Sequence, residues 1–285
     1  MNDNSSHPLA KRNIFVSGLP RAGSTLVCQL LAHHKDLYCP GSSSPLAHII
    51  GNMRTKWSND SFLLSQLDGD FDRVYTRLLN TCRGMLNGWF HETDKSIVVD
   101  KNRAWLGMID LASVLDPEAR FVVCIRELGQ LFGSIEAQHQ KTVLLDSGDG
   151  TASMNPYGRA TAYFKDGGMV AGCLSSVESS IEDVSNAIRN RIYYLKYEDL
   201  MANPQATTDQ LCEFLQISPL EYDTENLQTL AGEADSHYRY KFRHATSTRI
   251  RPSQPHQIPK RTQQGLVGQH NWFYRVFYPH LLTDS

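Results

Sequence analysis

The residues with the most chemical content lie in one short stretch, Gly18-Leu19-Pro20-Arg21-Ala22-Gly23-Ser24-Thr25. An apolar run, Asn13-Ile14-Phe15-Val16-Ser17, precedes it. Leu26, Leu30 and Leu31 follow at helical spacing. A strand, a glycine-bounded turn and a helix in that order gather backbone N–H groups and a helix N-terminus around one point, and such a point holds an anion. The Gly-x4-Gly spacing is that of a phosphate-binding loop, but Ser24 stands where that loop carries its lysine. The lysine serves the terminal phosphates of a triphosphate. Its loss counts against an ATPase or kinase and leaves room for a shorter anion. Arg21 supplies a cation at a different point of the loop.

Four further residues could join this site. Arg126 ends the apolar run Phe121–Ile125, and Ser134 follows eight residues later. A guanidinium at a strand end and a hydroxyl in the next helix can converge on one phosphate. Lys101 ends the run that begins Ile97-Val98-Val99, with Asp100 turned to the opposite face of that strand. Tyr197 opens the segment Tyr197-Glu198-Asp199-Leu200, in which the two carboxylates suit the start of a helix. No metal is expected. The eleven histidines are dispersed, with no HExxH, and the six cysteines form no CxxC pair.

The elements that must position these residues alternate. Apolar runs at 13–17, 97–99, 121–125 and 192–195 read as strands, and helical periodicity separates them. That order predicts an α/β protein: a P-loop NTPase-like, three-layer α/β/α fold with a central parallel sheet. Val74, Leu78, Cys82, Met85 and Trp89 mark an amphipathic helix over 71–89. Leu174, Val177, Ile181, Val184 and Ile188 predict one long helix. Pro40 to Ser44 reads as a turn and a cap for the next helix, and 146–158 as a loop. With no repeat and no linker, residues 1–12 are expected to form a loose tail and 13–285 a single domain. The last ~50 residues, rich in Arg and His with weak periodicity, are expected to cover the nucleotide site.

Composition narrows the function. The chain has 285 residues, 28 Lys plus Arg against 30 Asp plus Glu, and a formal net charge of −2. This balance does not suit a nucleic-acid coat protein. No apolar run approaches the ~18 residues of a membrane helix, and the polar start is unlike a signal peptide. A cytoplasmic location with reduced thiols follows as the expectation.

The loop GLPRAGST resembles the 5′-phosphosulfate loop of sulfotransferases that use 3′-phosphoadenosine 5′-phosphosulfate (PAPS). The segment 121–134 is similar to their strand–Arg–helix block, and Tyr197-Glu198-Asp199-Leu200 with Asn203-Pro204 to their third block. The resemblance spans roughly residues 13–215. It implies that Pro20, Arg21, Ala22, Gly23, Ser24 and Thr25 wrap the phosphosulfate, that Arg126 and Ser134 take the 3′-phosphate, and that Tyr197 lines the nucleotide site. It implies PAPS as donor, a hydroxyl-bearing acceptor, and Arg21 and Lys101 as the catalytic cations. The segments 244–252 and 265–268 resemble parts that close over the adenosine. The general base departs from the family. Ser42 stands where the tyrosylprotein branch has a Glu, and Arg103 falls near the His of the small-molecule branch. His48 is the candidate base, with His34 and Asp100 as substitutes. Two other readings stay open: a P-loop kinase or hydrolase, kept alive by Asp100 at its strand end, and a nucleotide-binding protein that has lost its base.

Overall fold

The apolar runs that flank the candidate residues form adjacent strands. In the computed structural model they are β1 (Arg12–Gly18), β3 (Ile97–Lys101), β4 (Arg120–Ile125) and β5 (Ile192–Lys196), joined by a two-residue β2 (Leu37–Tyr38). The structure describes residues 8–141, 143–144, 150–229, 233–234, 243–244, 247–251 and 254–282. The sheet order is β2-β3-β1-β4-β5 and every pairing is parallel. Parallel strands are bonded on both edges and covered on both faces, which is why they read as unbroken apolar runs. From β1 the chain goes first to β2 and β3 on one side, then crosses to β4 and β5 on the other. The loop after β1 therefore lies at the switch point, where open α/β sheets bind their ligands.

Helices carry the chain between the strands. They are α1 (Ser24–Leu31), α2 (Leu46–Trp57), α3 (Ser61–Gly69), α4 (Phe71–Trp89), α5 (Ile109–Leu115) and α6 (Leu128–Gln140). Then follow α7 (Pro156–Phe164), α8 (Ala171–Glu182), α9 (Asn186–Arg189), α10 (Tyr197–Ala202), α11 (Pro204–Leu215), α12 (Lys260–Gln269) and α13 (Asn271–Phe277). Phe15 anchors the core beneath the loop, with its ring 4.4 Å from Trp105 and 5.4 Å from Phe121, centre to centre. Gly18 ends β1 at φ +124, and an added Cβ there would stand 2.1 Å from the Cys124 carbonyl oxygen. Only glycine allows the loop to leave the sheet so close to β4.

Four expectations are corrected. The long helix over 174–188 is two, because Ser185 leaves helical geometry and its hydroxyl accepts from the Ile188 N–H, starting α9 afresh. The loop expected over 146–158 ends sooner: Asn155 caps α7, with Pro156 in its first turn, while 145–149 lie outside the described residues. The segment 40–44 does not cap α2 in the expected way. The cap position is Pro45, and Ser44 Oγ accepts weakly from the Leu46 N–H at 3.3 Å. The C-terminal stretch is more regular than its weak periodicity suggested. Phe273, Tyr274, Phe277 and Tyr278 of α13 and its end are buried, so an aromatic wedge replaces the aliphatic repeat of an ordinary core helix. The N-terminal residues 1–7 and parts of 244–252 lie outside the described residues.

Candidate functional site

The loop after β1 closes through backbone geometry that only a few residues accept. Arg21 has φ +60 and Gly23 φ +88. Gly23 is the N-cap of α1, so the first free N–H groups of that helix open onto the loop. A Cβ on Gly23 would lie 2.7 Å from the Tyr197 ring. Loop and Tyr197 are therefore packed in contact, as the pairing of β4 with β5 requires. The left-handed turn at Arg21 sends its side chain toward α6, where Nε donates to Ser134 Oγ at 3.2 Å.

Arg126 follows β4 and meets the same place. Its Nη1 donates to the Arg21 carbonyl at 3.1 Å, and its guanidinium carbon lies 4.3 Å from the centre of the Tyr197 ring. Burial pulls its pKa down from the ordinary arginine value, yet an arginine stays charged. Its buried Nε has no hydrogen-bond partner among the described residues. A buried cationic N–H without an acceptor is costly, and an anionic ligand satisfies it.

Lys101 completes the third side. Its Nζ donates to Thr25 Oγ1 at 3.3 Å from a buried position. Val16 pairs with Lys101 in the parallel register, so the two strand ends are level. Asp100 points the other way, as alternation demands. Trp105 Nε1 donates to its Oδ1 at 3.0 Å, and Ser44 Oγ lies 2.7 Å from both carboxylate oxygens. Ser44 N–H donates to the Lys101 carbonyl at 3.1 Å, Asn102 Nδ2 to the Ser44 carbonyl at 2.6 Å, and Ser43 bridges to Lys101 in parallel fashion. The serine run thus extends the sheet by one rung beside Lys101. All these elements open on one cavity of about 1020 Å³, lined by Pro20, Arg21, Gly23, Ser24, Thr25, His48, Lys101, Arg126, Ser134 and Tyr197 among others. Ala22, expected in the loop's anion grip, is buried behind it and does not line the cavity.

Residues 13–222 match the sulfotransferase family. The chain belongs to that family. Its members are PAPS-dependent transferases. Among solved structures, the sulfotransferase domain from the curacin biosynthetic pathway is similar at 17% identity and a TM-score of 0.51, over 92% of this chain and 98% of that one. A sulfotransferase from Mycobacterium avium matches at 13% identity and a TM-score of 0.49, over 94% of this chain and 77% of that one. At 17% identity the first likeness speaks to the fold alone. No curated protein matches the chain. Among the described residues no helix is long and apolar enough to cross a membrane.

The residues of this sulfotransferase fit the donor its family uses. The unpartnered Nε of Arg126, the glycine-shaped loop and the ring of Tyr197 make a cradle for a phosphorylated nucleoside. Two substitute bases do not reach the cavity. His34 is buried against the far end of α1. Its Nδ1 accepts from the Asp36 N–H at 3.2 Å, so Nε2 carries the hydrogen that meets the Ser218 carbonyl at 3.0 Å. Asp100 is sealed behind Ser44 and Trp105. His48, on α2, does line the cavity and is exposed to it. Ser42 is exposed and does not line it.

The sequence reading missed two residues of this sulfotransferase that line the cavity, His256 of the C-terminal segment and Gln29 of α1, while Arg249 and Arg251, which also line it, fall in the 244–252 segment expected to close over the adenosine. Gln29 Nε2 donates to the carbonyls of Ser247 at 2.7 Å and Gln228 at 2.9 Å, and so ties that segment over the loop. Two carboxylates anchor the segment's helices. Glu127 caps α6 and accepts from Tyr274 Oη at 2.6 Å and Gln263 Nε2 at 2.9 Å. Glu198 accepts from the Glu127 N–H at 3.1 Å and Tyr278 Oη at 2.8 Å. Burial first, and then the carboxylates, push both phenols well above the ordinary tyrosine range. Glu198 is thus an inter-element anchor, in addition to opening α10.

Burial raises the Asp100 carboxyl from 3.8 to about 6, and the bonds from Trp105 and Ser44 hold it below what burial alone would give. Its folded pKa exceeds its unfolded one. The charge penalty is therefore absent below pH 4 and complete above about pH 6, where it is on the order of 3 kcal/mol. Asp100→Asn keeps an acceptor for Trp105 and can donate to Ser44. Between pH 4 and pH 8 its unfolding free energy should gain roughly 2–3 kcal/mol on wild type. Urea titrations at the two pH values check this, and a pH-independent difference would show that folding does not raise the Asp100 pKa.

Proposed function

We propose that this sulfotransferase moves the sulfuryl group of PAPS to the hydroxyl of a small molecule, glycan or peptide. The observation that carries the reading is the convergence of Arg21, Lys101, Arg126 and Ser134, from four separate elements, on one cavity. Residues 13–285 act as one domain in this reading, with the C-terminal segment as the cover of the nucleotide.

The donor supplies an activated sulfuryl group. The chain supplies position, charge and a proton acceptor. The loop 20–25 and the α1 N-terminus hold the phosphosulfate. Arg126 and Ser134 hold the 3′-phosphate, and the Tyr197 ring keeps the Arg126 guanidinium in plane. Lys101 and Arg21 offset the negative charge that grows on the bridging oxygen as the sulfur–oxygen bond breaks. The strand order separates the two substrates. Arg126 and Ser134 lie on the β4 side of the loop, so the acceptor enters on the β3 side, between His48, Arg103, Met169 and Cys173. Among the described residues no Asp or Glu lines the cavity, and a histidine is the group there able to take the acceptor's proton near neutral pH. His48 stands on the acceptor side and is assigned that role. The reading calls for no metal. A cytoplasmic location is part of it, supported by six cysteines that all stand as free thiols.

Calorimetric titration with 3′,5′-adenosine bisphosphate, against Mg-ATP as rival, tests the donor site. Bisphosphate should bind tightly without metal, and labelled PAPS should then pass its sulfuryl group to an acceptor in a hydroxyl panel. Preference for Mg-ATP would overturn the proposal and favour the kinase reading.

A further inference from the structure

The C-terminal segment delivers one more titratable side chain to the phosphate end of the cavity. His256 lines the cavity, and its backbone is held to α6 from both directions. Its N–H donates to Gln130 Oε1 at 2.7 Å, and its carbonyl accepts from Gln130 Nε2 at 3.1 Å. One turn along the helix, Gly133 leaves the space the imidazole needs: a Cβ there would stand 2.4 Å from His256 Cβ and 2.7 Å from Cγ. Ser134 is the next residue. A primary amide gripping one residue through both backbone groups, over a glycine cut to fit its side chain, is more than a loop lying on a surface. It fixes where the ring goes.

The ring goes beside two guanidiniums. Arg126 from the end of β4 and Arg21 from the loop after β1 both act on it electrostatically. On α6 it packs against the neutral Gln130 and Gly133. Among the described residues no carboxylate lines this cavity. Burial, and then the charges of Arg126 and Arg21, hold its pKa below the ordinary histidine value. In the free protein it is therefore neutral at neutral pH. Arg126 keeps a buried Nε–H without a partner at the same place. A cluster of this kind suits an anion. When a phosphate dianion enters, it reverses the field at the ring and favours the imidazolium, which then donates a charge-assisted hydrogen bond.

We infer that His256 is a ligand of the donor's 3′-phosphate alongside Arg126, Ser134 and Arg21, and that the nucleotide binds with uptake of a proton at this ring. The inference rests on the proposed PAPS site and adds to it a residue from outside the matched family region, which ends at residue 222. It also makes donor affinity, and release of the spent bisphosphate, depend on pH. Affinity falls as pH rises through the pKa of the bound ring.

The test is calorimetry of 3′,5′-adenosine bisphosphate with wild type and His256→Gln in buffers of different ionisation enthalpy. Both are measured at pH 6.5 and 8.5, with 5′-AMP as the ligand that lacks the 3′-phosphate. The difference between the two proteins isolates the ring from the phosphate's own titration near pH 6. Wild type should take up more protons than the variant and bind the bisphosphate on the order of tenfold tighter at pH 6.5, with the gap closing at pH 8.5. Both should bind 5′-AMP equally. His256→Lys, with a permanent cation, should keep tight binding at both pH values. Equal proton uptake in wild type and His256→Gln, or equal loss for both ligands, would overturn the inference. If wild type binds 5′-AMP and the bisphosphate equally weakly, the PAPS reading itself fails. Thermal melts of both variants confirm folding, which a half-buried side chain in a surface segment should not compromise.

Discussion

Lys101→Ala should lower the turnover of sulfuryl transfer by about a thousandfold and leave the affinity for 3′,5′-adenosine bisphosphate within a few-fold of wild type. The reasoning is positional. Lys101 meets Thr25 across the loop at 3.3 Å, on the side away from the Arg126–Ser134 pair. In the proposed site a cation there lies by the oxygens of the sulfuryl group in transfer, which the bisphosphate does not carry. Its contribution is then largest in the transition state, and a loss of kcat with little change in ground-state binding is the mark of such a group. Lys101 is buried, at 5% exposure, and the alanine leaves a polar void that water can fill, so the fold should survive. Single-turnover transfer from labelled PAPS and bisphosphate calorimetry check the split. A parallel loss of binding and turnover would place Lys101 in the donor's phosphate grip instead.

Arg126→Ala should have the opposite signature. Bisphosphate affinity should fall by about a thousandfold, roughly 4 kcal/mol, because a buried, hydrogen-bonded cation is removed from a dianion. The guanidinium also braces the site. It bonds the Arg21 carbonyl, which holds the left-handed turn, and it covers the Tyr197 ring that packs on Gly23. Arg126→Lys keeps the charge but cannot reach the carbonyl, the ring and the phosphate together. It should recover only part of the loss. Affinity for 5′-AMP, which lacks the 3′-phosphate, should fall far less in both variants. If 5′-AMP and the bisphosphate weaken equally, Arg126 acts by shaping the loop and not by holding the phosphate. The two substitutions together divide the cavity into a reacting side on β3 and a binding side on β4.

Much of this division was legible along the chain. The loop 18–25 is readable because its work is local: a strand, a turn that needs positive φ and a helix N-terminus are contiguous in sequence, and each leaves its residue type behind. Arg126 and Ser134 are readable for a related reason. A strand end followed by a helix has one geometry, and eight residues bring the hydroxyl back to the strand's end. The alternation of Asp100 and Lys101 follows from the period of a strand. The helix over 174–188 was misjudged because apolar spacing continues through a Ser185 cap that restarts the helix with a new axis. Residue type alone makes His34 and Asp100 candidate bases, because a sequence carries type without surroundings. The structure surrounds one with Ser218 and Asp36 and the other with Ser44 and Trp105.

What the sequence by itself determined is the family, the parallel α/β sheet and the glycine turn that joins β1 to α1, since each rests on contacts between near neighbours or on a strict period. What only the tertiary structure decided is how the C-terminal third closes the site. Gln29 meets Ser247 across 218 residues of chain, Tyr274 meets Glu127 across 147, and His256 meets Gln130 across 126. Hydrogen bonds between such distant partners leave no period and no motif. They exist because the sheet order places β1 and β4 side by side, and only then do a glutamine of α1 and a carboxylate and an amide of α6 stand close enough to hold the same segment.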